Sequence, residues 1–230
     1  MREPLLHLLF PNVCVLCRKL LCFGEEQCCS SCVAEFDQFK TPLAAEQLLR
    51  HSIMTRYGDK FLFERGWCRY LFHKESSLQQ ALHLMKYEGL FNLASTFGRQ
   101  LGEWMLSGDD TEDIECIVPV PLHRLKKIER SYNQSEKIAE GIAQSLQKPL
   151  HRELLVRKRY TVSQTGLSAQ ERAKNIEGAF KVAQQVVCRH LLLVDDVVTT
   201  GATMAAAASA LRRGGIERIS LAAVALAIKE

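Results

Sequence analysis

Two adjacent carboxylates, Asp195 and Asp196, follow four branched aliphatic residues, Leu191 to Val194, and precede a threonine-glycine turn, Thr199-Thr200-Gly201-Ala202-Thr203. An unbroken apolar run suits a strand buried on both faces of a parallel sheet, and such sheets bind ligands at the C-terminal ends of their strands. The alanine-rich stretch Met204 to Arg213 reads as a helix, so the turn aims free backbone N–H groups and the positive end of a helix dipole at one place. An anionic phosphate fits there. Gly201 lets the backbone approach it, and Thr199, Thr200 and Thr203 add hydroxyl donors. Asp195 and Asp196 stand ready to accept hydrogen bonds from vicinal ribose hydroxyls, or to hold Mg²⁺ through water. The whole reads as a socket for a phosphorylated sugar. A Walker A loop would need Gly-Lys-Thr, and a dinucleotide fingerprint would need glycines where the aspartates stand.

The cysteines suggest a second chemistry. Six of the nine lie between positions 14 and 32, as Cys14-x-x-Cys17, Cys22 and Cys28-Cys29-x-x-Cys32. Two C-x-x-C knuckles, Cys14/Cys17 and Cys29/Cys32, offer four thiolates to one tetrahedral Zn²⁺, and four thiolates leave no open position for a catalytic water, so the metal is expected to be structural. The loop between the knuckles is shorter than usual zinc-ribbon spacing but long enough to return the chain. Disulfides are the rival explanation, against which stands a cytoplasmic reading that keeps thiols reduced. Symmetric spacing favours Cys29 over Cys28 as ligand, leaving Cys22 and Cys28 as bystanders. Cys68, Cys116 and Cys188 read as buried core thiols. So short a module is expected to need its metal to fold.

A third group lies mid-chain. The apolar pair Ile117-Val118 runs into Pro119-Val120-Pro121-Leu122-His123-Arg124, followed by Lys126, Lys127, Arg130 and Ser131-Tyr132-Asn133-Gln134. A proline-stiffened turn at the end of a parallel strand suits a pyrophosphate. Pro119, Val120 and Pro121 would shape the turn, while Arg124 and Arg130 can grip phosphate oxygens in a bidentate fork. Plain solvation accounts equally well for Lys126 and Lys127. Residues 157–180, polar and glycine-containing, read as a lid that closes over bound ligand, with Gln164, Arg172 and Asn175 above the diphosphate. Ser168 to Lys174 reads equally as a capped surface helix.

These groups need a frame. A chain of 230 residues provides one domain with room for a small appendage. Its 47% hydrophobic and 24% charged residues are those of a globular protein. No apolar run approaches the roughly 18 residues of a membrane span, and the N-terminus lacks a signal-type core, so the chain reads as cytoplasmic. The net charge of +4 is unevenly spread: residues 121–160 carry ten Lys or Arg against four Glu, a local +6, leaving −2 elsewhere. Beside a phosphate-binding fold, such a segment suits pyrophosphate, nucleic acid or both.

Ala34 to His51 reads as a helical connection interrupted at Thr41-Pro42, and Phe61 to Phe72 as one or two strands. Ser77 to Tyr87 reads as a helix with Leu78, Ala81, Leu82 and Met85 on one face, capped by Ser76 or Ser77. Gly89 breaks it, and a second helix runs to about Leu106. Strands at Cys116–Val120, Leu191–Val194 and Ile219–Ala225 then alternate with helices at Asn133–Leu146 and Thr203–Arg213, the pattern of a parallel sheet with crossover helices.

With its hydrophobic run, acidic pair and TTG-x-T turn in order, Val194 to Thr203 resembles the phosphoribosyl-pyrophosphate (PRPP) motif of type I phosphoribosyltransferases. Taken with the two knuckles, Leu84-Met85-Lys86-Tyr87-x-Gly89, Val118-Pro119-Val120-Pro121-Leu122-His123, Arg130-Ser131-Tyr132-Asn133-Gln134 and residues 164–175, almost the whole chain resembles ComF-type proteins. In that family the segment at 130–134 usually reads Arg-Gly-Phe-Asn-Gln; here Ser131 and Tyr132 replace Gly-Phe. The resemblance implies an α/β fold with a type I phosphoribosyltransferase-like parallel sheet flanked by helices over 76–230. It also implies a zinc-ribbon module over 1–40, with 41–75 as connecting segment.

It further implies PRPP as ligand, bound with Mg²⁺, and a role in DNA uptake and natural transformation. The 5′-phosphate would lie on Thr199 to Thr203, the ribose hydroxyls on Asp195 and Asp196, and the Mg²⁺-pyrophosphate near Pro119 to Arg124. A nitrogen nucleophile would attack C1 as pyrophosphate leaves, with the aspartates stabilising the cationic centre or acting as base. The alternative implied is a non-catalytic factor that handles single-stranded DNA beside a DNA-uptake helicase, with PRPP as regulatory ligand.

Overall fold

In the computed structural model, which describes residues 12–58, 61–108, 111–158, 178–184 and 188–228, the apolar run at 191–194 lies in a four-stranded parallel sheet. Its strands are β1 (Gly66–Phe72), β2 (Cys116–Pro119), β5 (His190–Val198) and β6 (Arg218–Ala227), in the order β1-β6-β5-β2. The inner strands β5 and β6 are buried along nearly their whole length, as branched and small apolar residues covered on both faces should be. β5 runs past the expected Val194. The ten residues of β6 give it an unbroken partner, and the register continues through Asp195↔Ala223 and Val198↔Leu226. The two carboxylates therefore belong to the strand itself.

Alternation along β5 divides the core. Leu192 and Val194 face a cluster that includes Leu78 and Met85 of α3 (Ser77–Tyr87), Phe97 and Leu101 of α4 (Phe91–Leu106), and Ile138 and Ile142 of α6 (Gln134–Leu146). Leu191 and Leu193 face Leu49 and Ile53 of α2 (Pro42–Tyr57) together with Ala207 and Leu211 of α7 (Ala202–Arg213). Helices α4 and α6 cross with their backbones in contact: a Cβ on Gly98 would lie 2.1 Å from the Ile138 carbonyl oxygen, and one on Gly141 would lie 2.3 Å from that of Ser95.

Local chemistry sets the ends. Ser76 accepts the Gln79 N–H at 3.2 Å to start α3, and Thr41 accepts that of Ala44 at 3.2 Å with Pro42 in the first turn of α2. Thr41-Pro42 thus begins a helix, and the preceding turn, α1 (Ser30–Ala34), is separate. Residues 41–75, expected as a connection, supply α2 and the sheet strand β1. Phe61 and Phe63 lie before that strand, their rings tilted against each other at 6.0 Å on the α2 side of the core.

Two features have no counterpart in the expected elements. One is α5 (Arg124–Arg130), where a proline turn leading into cations was expected; the other is an antiparallel pair, β3 (Leu155–Arg157) with β4 (Phe180–Val182). Both outer edges of the sheet are covered. Gln38 bridges Tyr70 on β1, with Leu71 N–H on Asp37 O at 2.8 Å, while on β2 the Ile117 N–H reaches Pro149 O at 2.9 Å. Among the described residues no helix is long and apolar enough to cross a membrane.

Candidate functional site

The phosphate turn joins β5 to α7. Gly201 has φ +75° and sits at the N-cap, so α7 begins at Ala202 and takes Thr203 into its first turn, slightly earlier than expected. First-turn amides have no acceptor inside their own helix, and here that of Ala202 is met by Thr200 Oγ1 at 3.4 Å. Thr199 is exposed, Thr200 and Ala202 are buried, and Thr203 is half-buried. The end of α2 braces the turn. Arg56 Nη1 donates to Thr199 O at 3.3 Å, the Tyr57 hydroxyl bonds to Thr200, and a Cβ on Gly201 would stand 3.3 Å from Ile53. Sequence reading missed Arg56 and Tyr57: Arg56 is 143 residues from its partner, and no local pattern marks it.

Asp195 and Asp196 are 9% and 7% exposed. Asp195 Oδ1 accepts from Ser135 Oγ at 2.8 Å and from the Asp196 N–H at 2.9 Å. Asp196 Oδ2 receives Gln134 Nε2 at 3.2 Å and the Lys86 ammonium at 2.6 Å, and its Oδ1 receives the Val197 N–H at 2.7 Å. Burial, then the neighbouring Asp196 charge, pushes the Asp195 carboxyl up to about 7. Burial acts on Asp196 too, but the Lys86 charge together with the hydrogen bonds from Lys86, the Val197 N–H and Gln134 outweighs it and holds that carboxyl below its ordinary value. Lys86 was visible in sequence only as part of a helix end.

The residues expected at the pyrophosphate divide. Pro119 ends β2, and Val120 continues its ladder with an N–H on Val194 O at 2.8 Å. Asn133 Nδ2 donates to Val120 O at 3.1 Å while its Oδ1 caps α6, tying the β2 end to the helix that carries Gln134 and Ser135. Pro121 is half-buried and Arg124 is exposed at the start of α5. Arg130 turns inward: its guanidinium lies 5.1 Å above the Tyr87 ring and donates to the Tyr87 hydroxyl at 3.3 Å, and its Nε is buried without a hydrogen-bond partner among the described residues.

Two cations outside the expected set join it. Burial, then Arg157, Arg130 and, more weakly, Lys86, depresses Lys126, while burial depresses Arg157 against the pull of Asp195. Lys126 thus lies among Lys86, Arg130 and Arg157, with Lys86 on Asp196 and Arg157 drawn to Asp195, a concentration of positive charge suited to an anion. Gln164, Arg172 and Asn175, the expected lid, lie outside the described residues.

The sulfur atoms of Cys14, Cys17, Cys29 and Cys32 lie within 4.8 Å of one another, with Cys17 and Cys29 at 3.6 Å. A tetrahedron of Zn–S bonds of about 2.3 Å separates its sulfurs by roughly 3.8 Å, so the donor set fits Zn²⁺. Burial opposes ionisation of Cys14, but N–H groups of Cys17, Cys29 and Leu16 outweigh it and bring the thiol to about 6. Cys28, outside the cluster, is pushed up to about 12 by burial. Cys68 is fully buried, and Cys116 and Cys188 meet with sulfurs 2.7 Å apart at the opposite end of the sheet from the phosphate turn.

Residues 133–229 match the phosphoribosyl transferase domain family. Over about nine-tenths of the chain, similarity extends to further proteins. One is "Competence protein F" of Haemophilus influenzae, 28% identical over 216 residues that span 90% of this chain and 94% of that protein. Another is "DNA utilization protein YhgH" of Escherichia coli K12, 30% identical over 216 residues, with coverage of 92% and 95%. The protein of that name from Salmonella typhimurium is 27% identical over 216 residues, again covering 92% and 95%.

Proposed function

Since the chain belongs to the ComF family, together with Competence protein F and DNA utilization protein YhgH, we propose that it binds PRPP with Mg²⁺ in the cytoplasm, in the service of DNA uptake, and transfers the phosphoribosyl group to a nitrogen acceptor. The observation that carries this reading is the acidic pair on β5, flanked by the amide-rich turn into α7 and by Lys126, Arg130 and Arg157. The amides and hydroxyls of Thr199 to Thr203 receive the 5′-phosphate. The ribose hydroxyls donate to Asp195 and Asp196, and the diphosphate lies between the Pro119-Val120-Pro121 turn and the cations of α5 and β3. When bound, Mg²⁺ neutralises diphosphate charge and makes it a better leaving group. The C1–O bond breaks, the C1–N bond forms, and the carboxylates oppose the positive charge that develops on the ribosyl ring. Asp195, with a carboxyl near neutrality, is placed to take the proton the acceptor nitrogen sheds.

Calorimetry with PRPP and Mg²⁺ tests the binding, wild type against Asp195→Asn plus Asp196→Asn, followed by assay of pyrophosphate release with candidate bases. Saturable binding in the wild type and its loss in the double variant are expected; no binding at millimolar PRPP rejects the reading. One observation favours the non-catalytic alternative. Helix α5 buries none of its residues and exposes Arg124 and Lys127 beside Leu125 (55%) and Ile128 (68%), a surface open to single-stranded DNA. Oligonucleotide binding that falls steeply with salt, yet survives the double aspartate substitution, would place DNA on that surface rather than in the nucleotide site.

A further inference from the structure

Lys86 is in direct contact with the acidic pair, through Asp196. It occupies the last turn of α3, where the partial negative charge of the helix end favours a cation, just before Gly89 at φ +68°. Its position is fixed from several sides. The Tyr132 hydroxyl donates to the Met85 carbonyl, Arg130 stacks on Tyr87, and the Tyr87 ring packs 4.8 Å from His83. From there the ammonium reaches Asp196 Oδ2 at 2.6 Å with the side chain only 24% exposed.

Gln134 donates to the same oxygen at 3.2 Å, and the Val197 N–H donates to the other oxygen at 2.7 Å. Asp196 Oδ2 is thus filled by two protein donors, while Oδ1, with one N–H, keeps a lone pair for a sugar hydroxyl. A divalent cation approaching Asp196 would meet a tethered ammonium already in its place. The Gln134 side chain is buried with its Oε1 unpartnered among the described residues, so that acceptor remains available to a sugar hydroxyl brought against Asp196.

We propose that Lys86 is a positioning residue that stands in for a divalent cation at Asp196, so that the ribose end of the site takes its sugar phosphate without Mg²⁺, which enters only with a diphosphate. The inference rests on the phosphoribosyl reading above. Bound carboxylates next to each other ordinarily need a counter-charge; here the chain supplies it from α3, and Asp196 accepts hydrogen bonds without recruiting metal.

The probe is ribose 5-phosphate, which carries the phosphate and the vicinal hydroxyls but no diphosphate. Binding is measured by calorimetry in nominally Mg²⁺-free buffer and in millimolar Mg²⁺, on the zinc-loaded chain and without a chelator, which would strip the cysteine cluster. Wild type is expected to bind with affinity unchanged within about twofold by Mg²⁺, Lys86→Met about tenfold or more weakly without Mg²⁺ and partly rescued by it, and Lys86→Arg like wild type. A tenfold Mg²⁺ dependence in wild type, or an unaffected Lys86→Met, overturns the proposal.

A ligand-free readout keeps the two readings apart. Carboxyl-carbon NMR follows the Asp196 titration amid the groups that face the pair: Asp195 on β5, Tyr132 before α6, Lys126 and Arg130 on α5, and Arg157 on β3. Lys86→Met is expected to raise the Asp196 midpoint by about one pH unit or more, and Lys86→Arg to leave it low. An unmoved midpoint sinks the role of Lys86 even if sugar phosphate binds. A moved midpoint with no sugar phosphate bound by wild type rejects the phosphoribosyl reading and, with it, the exchange of metal for ammonium.

Discussion

Asp195 and Asp196 are chemically alike and electrostatically opposite, because the half-buried Lys86 ammonium pairs directly with Asp196 and pulls only weakly on Asp195. For Asp195 the folded carboxyl near 7 lies above its ordinary 3.8, so it contributes stability that is full below about pH 4 and is lost as pH rises through 7. Asp195→Asn is expected to remove that part of the decline, read as a flatter dependence of the denaturant midpoint between pH 4 and pH 7. Ligand follows the opposite course, since a ribose hydroxyl needs the ionised carboxylate: PRPP affinity should rise through pH 7 in wild type and lose that inflection in Asp195→Asn. Ser131 offers a simpler test. It closes α5 with φ +65°, a left-handed conformation that suits glycine, the residue usual at this place in the family. Ser131→Gly should stabilise the chain by about 1 kcal/mol, seen as a higher denaturant midpoint. The aspartates, the threonine-glycine turn and the cysteine knuckles were legible in the sequence because each is a local pattern. Lys86, Arg56 and Tyr57 were not, since each earns its meaning from a partner brought close only by the fold.

Helix α3 was legible to both ends, because Ser76 caps it and one apolar face repeats through Leu78, Ala81, Leu82 and Met85. Helix α5 was not. It carries no buried residue, so the sequence has no periodic face there to read. Strand β5 was placed but cut short, since two aspartates look like the end of a strand until β6 is seen to pair with them. The β3–β4 pair has only three residues in each strand, too few for an alternating pattern. The crossing of α4 and α6 bears directly on the site, because α6 carries Gln134 and Ser135 against the acidic pair. Gly98→Ala would drive a methyl into the Ile138 carbonyl, with no side chain available to yield. A loss of about 1–3 kcal/mol is expected, measured by chemical denaturation, with weakened PRPP binding if α6 is displaced. An unchanged midpoint would contradict backbone contact at that crossing.

The modules expected from sequence are joined in the molecule by a shared core. Cys14, Cys29, Cys32 and Phe36 pack in the same cluster as Tyr70 of β1 and Phe97 of α4, with the Phe36 and Tyr70 rings edge to face at 5.4 Å. Removing the metal should therefore be felt well beyond the knuckles. Cys17→Ser is expected to lower the melting temperature of the whole chain in a single transition with loss of stoichiometric zinc; two separate transitions would show that the module melts alone. This union was not legible in the sequence, because Phe36 meets Tyr70 and Phe97 only through the fold and no spacing rule announces such contacts. The short stretch at residues 37–39 closes the module against the sheet edge. It lies along β1 and occupies N–H and C=O groups that would otherwise be open to another chain. Zinc-stripped protein, freed to release that stretch, should self-associate edge to edge, and light scattering that rises on chelation and falls on re-addition of zinc would show the metal acting as a guard against aggregation.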